Sequence, residues 1–143
     1  MSMGKDSRPL FMRPGHCAGD LLGAADWDVR EERSGFVEID ADLPERVMNP
    51  RKQLFGGFTG TYVDMIALYT VRTLFDAGED YWITTVNMRI DYLAPVTGPV
   101  MRLQGELINQ GRSTSLVAVR MLDQDGELQV YALVTLRVLD RRR

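Results

Sequence analysis

The chain has 143 residues, 45% of them hydrophobic and 26% charged, which is the make-up of one ordinary globular domain with a substantial core. A formal net charge of −3 gives no reason to expect nucleic acid or an anionic membrane as partner. A single cysteine, Cys17, excludes an internal disulfide and fits a reducing, cytoplasmic setting.

The opening MSMGKDSRPLFMRPGH has no apolar run long enough for a secretory signal, since Pro and charge interrupt it. Residues 1–18 are expected to form a poorly ordered arm, and 19–143 a single domain. His16 is the only histidine, and with Cys17 it supplies too few ligands for a metal. No metal or cofactor is expected. Asp20 to Trp27 could hold a helical turn or a loop. Trp27–Arg33 and Gly35–Ala41 read as two short strands meeting at Ser34-Gly35. Pro44 and Pro50 then bracket a loop that carries Asn49 toward Gly56-Gly57.

At Gly56-Gly57 the loop turns into a helix that is expected to stop near Ala77-Gly78. Between Phe58 and Val71 its only charge is Asp64, and apolar side chains lie all round it. Such a helix is enclosed on most sides. Thr, Gly and Asp interrupt it too often for a membrane span. A carboxylate in that position must be paired, neutralised or used.

Beyond the helix the period falls from 3.6 to 2. Tyr81–Leu93 alternates Thr85, Asn87, Arg89 and Asp91 against Thr84, Val86, Met88, Ile90 and Tyr92. Val100–Asn109, Ser113–Leu122 and Leu128–Leu139 follow, with hairpin signals at Gln110-Gly111 and Asp123–Gly126. The layout is α+β, an antiparallel sheet wrapped around one long helix. The last strand is apolar on both faces, so its outer face is expected to meet another subunit. Arg141–Arg143 reads as a solvated tail.

The residues suited to chemistry are Asn49, the Gly56-Gly57 turn, Asp64 and the Thr84-Thr85 pair. The first N–H groups of a helix have no intrahelical partner, and glycine lets a ligand approach them closely. With the Asn49 amide they can hold a carbonyl oxygen that becomes an oxyanion. Asp64 can take a proton from water, and Thr85 can hold that water in line. A tight helix entry plus an Asp paired inside the core would explain the same residues without chemistry.

The runs NPRKQLFGGFTGTYVD, TTVNMRIDYLAP and GRSTSLVAV resemble the hot-dog-fold acyl-CoA thioesterases. The nearest group is the phenylacetate-pathway type of the 4-hydroxybenzoyl-CoA thioesterase superfamily, and the similarity runs from about residue 21 to 139. The resemblance implies hydrolysis of an acyl-CoA, with CoA as part of the substrate. Asn49 and the Gly56 or Gly57 N–H would bind the thioester carbonyl, Asp64 would act as base or nucleophile, and Thr85 would position water. It also implies a homodimer or a dimer of dimers, with sites built from both subunits. Phe55 stands where the family has His before Gly-Gly, and Lys52 where it has Gly; Lys52 could reach a CoA phosphate. Arg112 and Ser113, in the GRSTS hairpin, match a position beside the pantetheine arm and nucleotide. Phe55, Phe58, Tyr62 and Tyr69 suggest an apolar pocket for an aromatic or medium-chain acyl group. A non-catalytic acyl-CoA or lipid-binding module is the competing expectation. A dehydratase of the same fold is disfavoured because the only histidine lies near the N-terminus.

Overall fold

The computed structural model describes residues 7–76 and 81–140, so the expected glycine stop at Gly78 and the Arg141–Arg143 tail lie outside the described residues. A short helix α1 (Cys17–Leu22) is followed by strands β1 (Asp28–Arg33) and β2 (Phe36–Asp42) and the long helix α2 (Gly56–Arg72). Strands β3 (Tyr81–Tyr92), β4 (Val100–Gln110), β5 (Thr114–Leu122) and β6 (Leu128–Asp140) complete the chain. One antiparallel sheet takes the order β1-β2-β4-β5-β6-β3. It is the expected α+β arrangement, with α2 lying on one face. The helix ends at Arg72, short of the expected stop, and Thr73 closes it by donating its hydroxyl to the Thr70 carbonyl at 2.6 Å.

Alternation along the strands sorts the two faces. Val37, Ile39, Leu103, Val117, Val119, Val134 and Leu136 point at α2 and are fully buried. The opposite face carries charge on β2 and β4: Arg102 chelates Asp40 at 2.9 and 3.2 Å and holds that carboxyl below the usual carboxylate range. On β6 the outer face is half-covered from within, since the Arg120 guanidinium lies 5.3 Å from the Tyr131 ring centre. β6 is also an interior strand. The sheet's two edges are β1 and β3, and β3 is the longer at twelve residues, with Trp82 and Val86 more than half exposed. An edge of that length presents a row of backbone N–H and C=O groups with no neighbouring strand.

Residues 7–18 depart from the arm expected over 1–18, whose first six residues lie outside the described residues. Met12 is fully enclosed and Phe11 nearly so, because both pack on the side of α2 away from the sheet. There Phe11 meets Trp27 and Tyr69 edge-on at 6.1 and 6.5 Å, and Trp27 stacks on Tyr62 at 5.9 Å. His16 caps α1, its Nδ1 accepting from the Gly19 N–H at 3.0 Å. The sheet covers one side of α2 and this layer covers the other, which is why its apolar residues run all round. Tyr62 and Tyr69 are therefore core residues, not the pocket wall expected from the sequence. Tyr69 donates to Glu32, and burial pushes both phenols well above their usual range.

Helix and sheet come closest at Gly105, where an added Cβ would sit 2.0 Å from Thr70 Oγ1 and 2.9 Å from Ile66 Cγ2. Gly105→Ala must push α2 off β4 and is expected to cost about 1–3 kcal/mol. A urea melt should show a lower midpoint with unchanged slope; an unshifted midpoint would mean that the two elements do not pack this tightly.

Candidate active site

One stripe of α2 escapes both layers. Gly57, Gly60, Thr61, Asp64 and Leu68 recur at helical spacing and are only partly covered. Asp64 is half-buried on this stripe, and its Oδ1 accepts a hydrogen bond from the Thr85 hydroxyl across in β3. The expected strict alternation of β3 fails here for a physical reason. A bulge at Val86 shifts the register against β6, from Thr85 opposite Leu136 to Asn87 opposite Thr135. The extra residue changes the phase, so Thr85 faces the helix together with Met88 and Ile90. Thr84 points to the outer face, away from Asp64. Thr85, the residue expected to hold water, gives its own proton to that carboxylate and keeps its oxygen lone pairs as acceptors.

At the head of the helix Phe55 occupies the cap position without a capping side chain. The Phe58 N–H bonds the Phe55 carbonyl at 2.9 Å, while the Gly56 and Gly57 N–H groups meet no acceptor among the described residues. Aromatic rings flank them. A Cβ on Gly57 would lie 3.0 Å from the Phe55 ring, and one on Gly56 would lie 3.7 Å from Tyr92, whose hydroxyl donates to the Gly56 carbonyl at 2.8 Å. Phe55 is 53% exposed and Tyr92 58%, so these rings stand at an open mouth. Phe58 packs edge-on against Phe55 at 5.7 Å.

Asn49 shapes the approach to that turn. Its Oδ1 accepts from the N–H groups of Arg51 and Gln53 at 2.9 and 3.1 Å, and its amide nitrogen donates to Gln53 Oε1 at 3.5 Å, with one of its two N–H bonds to spare. Lys52 adopts a left-handed φ of 62°, where a side chain costs about 1 kcal/mol and where the resembling family has glycine. Its ammonium reaches Glu45 at 3.4 Å, an exposed pair of little energetic weight.

Arg112 and Ser113 stand elsewhere. They line an open groove of about 800 Å³ at the far end of β3, with Phe75, Tyr81, Trp82 and Leu139. Asp64, Asn49 and Gly57 do not line this groove. Among the described residues Arg112 makes no ion pair, and Phe75 stacks on Tyr81 at 4.1 Å. A second cleft, of about 320 Å³, escaped the sequence reading; it borders the helix mouth between Gln53, Thr59 and the 92–96 turn. Residues of three distant stretches, 53–59, 92–96 and Val130, build it, and no periodicity could have signalled that.

A family model described as the thioesterase superfamily matches residues 52–130, more than half of the chain. The chain belongs to the thioesterase superfamily. The match takes in the glycine turn, Asp64 and Thr85 and begins just after Asn49. Solved structures agree. A hypothetical thioesterase from Streptococcus pneumoniae, crystallised with coenzyme A, is 26% identical at a TM-score of 0.72, covering 82% of this chain and 92% of that one. The fold is shared with thioesterase HI1161 of Haemophilus influenzae, at 19% identity and TM-score 0.74, covering 86% of this chain and 82% of that one. It is shared also with smu.793 of Streptococcus mutans, bound to acetyl CoA, at 20% identity and TM-score 0.72 with coverage of 82% and 92%. No curated protein matches the sequence. The thioesterase is thus a hot-dog-fold hydrolase of thioester bonds. No helix among its described residues is long and apolar enough to cross a membrane.

Proposed function

We propose that this thioesterase hydrolyses an acyl-CoA to the free acid and CoA, as a cytoplasmic homodimer or dimer of dimers of the phenylacetate-pathway type. The single observation that carries the reading is the Thr85-oriented carboxylate of Asp64 on an open stripe of the helix that begins with the unpartnered Gly56 and Gly57 N–H groups. The thioester carbonyl oxygen accepts from the Gly57 N–H and the Asn49 amide. Water adds to the carbonyl carbon as Asp64 takes its proton. The oxyanion then collapses, the C–S bond breaks, and the proton passes to the departing thiolate. Asp64 can instead attack the carbonyl itself and be freed by water.

Seven residues of helix separate Gly57 from Asp64, about 10 Å along the axis, a long span for one carbonyl. A two-fold partner paired along β3 would bring a second helix within reach, so we assign Asn49 and Gly57 to one subunit and Asp64 with Thr85 to the other. Arg112 beside the Trp82 and Tyr81 rings suits an adenine nucleotide with its phosphates, and the coenzyme A in the pneumococcal relative supports that class of substrate. The test is free-thiol release from a panel of short, medium-chain and aromatic acyl-CoAs. Turnover above buffer is the expected result. Tight CoA binding without turnover of any member would favour a ligand-binding module.

A further inference from the structure

The cleft between the first turns of α2 and the 92–96 segment has a chemistry of its own. Its walls are apolar, from Leu54, Leu93, Val96 and Val130, and its volume of about 320 Å³ lies at the small end of ligand sites. The backbone around it is spent. Leu54 N–H bonds the Val96 carbonyl at 2.7 Å, Gln129 Nε2 bonds the Pro95 carbonyl at 2.9 Å, and the N–H groups of Leu93 and Ala94 share the Gln129 carbonyl at 2.9 and 3.1 Å. Two side-chain groups on the wall are not spent. The Gln53 amide nitrogen has no acceptor, and the Thr59 hydroxyl has no partner of either kind, among the described residues. Thr59 is only 2% exposed.

That hydroxyl calls for an explanation. Thr70, on the same helix, returns its hydroxyl to the carbonyl four residues back, at 2.7 Å to Ile66, and so satisfies it. Thr59 does not. It opens on the cleft instead, and once an acyl chain fills that space the hydroxyl loses access to water and costs free energy unless the chain brings it a partner. Thr59 also stands three residues beyond Gly56 on the same helix face, about 4–5 Å along the axis. An acyl group whose carbonyl sits on the Gly56-Gly57 donors and whose chain enters the cleft passes the Thr59 hydroxyl within its first few carbons.

Resting on the proposed hydrolysis of an acyl-CoA, we infer that this cleft receives the acyl group and that Thr59 selects chains carrying an oxygen on the third carbon, 3-hydroxyacyl or 3-oxoacyl. The oxygen bonds the Thr59 hydroxyl, and Gln53 offers a further donor. The apolar walls hold the remaining carbons, and the small volume favours short chains. A plain acyl group in the same place leaves the hydroxyl unpaired.

The test compares kcat/KM for butanoyl-CoA, 3-hydroxybutanoyl-CoA and 3-oxobutanoyl-CoA in the wild type, Thr59→Val and Thr59→Ser. The wild type is expected to prefer the oxygenated chains by about tenfold or more, Thr59→Val to lose that preference, and Thr59→Ser to keep it. Valine matches threonine in shape, so the variant is expected to unfold at an equal or higher urea concentration. Turnover with the same ratios in wild type and Thr59→Val overturns the assignment and leaves thioester hydrolysis standing. A clear loss of stability in Thr59→Val also overturns it, since the hydroxyl would then be bonded within the protein. Absence of turnover with every acyl-CoA in a folded wild type removes the functional reading and this assignment with it.

Discussion

Asp64→Asn is expected to lower kcat for acyl-CoA hydrolysis by about a hundredfold or more while KM changes little. The substitution keeps size and shape and can still accept the Thr85 hydroxyl, so packing on the open stripe should survive. What is lost is the ability to take a proton from water or to attack the carbonyl. A drop confined to kcat marks an interaction made in the transition state, whereas a matching rise in KM would mark one that merely holds substrate. Thr85→Val should lower kcat less, because it frees the carboxylate to turn without removing it. Steady-state kinetics with thiol detection on folded variants decide the matter. Turnover of Asp64→Asn equal to that of the wild type would take the carboxylate out of the mechanism.

The second large effect is recovery of activity by mixing two inactive proteins. If each site takes Asn49 and Gly57 from one subunit and Asp64 from the other, a mixed dimer of Asn49→Ala and Asp64→Asn has one site with both lesions. Its other site has every native group. Random pairing makes half the dimers mixed, each with half its sites intact, so activity should approach about a quarter of wild type. The Asn49 variant needs its own control, because Oδ1 of that side chain also holds the N–H groups of Arg51 and Gln53. Both parents must be nearly inactive and still dimeric before mixing. Differential tags identify the mixed species after co-expression or joint refolding. Verified mixed dimers with no recovered turnover would place each site within one chain, or these residues outside catalysis.

Local chemistry made much of this protein legible in one dimension. The β4, β5 and β6 boundaries fell within a residue of those expected, because alternation of side chains and the residues of hairpin turns act over two to six neighbours. The same holds for α2 beginning at Gly56 and for Asp64 standing out as its lone charge, since a charge in an apolar helix is conspicuous wherever the helix packs. Three matters waited on the tertiary structure. The bulge at Val86 turned Thr85 rather than Thr84 toward Asp64, a change of phase that depends on pairing with β6 and leaves no local mark. The N-terminal segment looked too polar to fold, yet Phe11 and Met12 fill the far side of α2, because two well-placed apolar residues suffice once another element offers them a surface. That layer took Tyr62 and Tyr69 into the core. The cleft beside Thr59 was invisible for the same reason, since its walls are more than thirty positions apart in the chain and meet only when β3 returns past the mouth of the helix. Sequence periodicity states which side of an element is apolar; which neighbour covers that side, and which stripe is left open, is decided by contacts between distant segments.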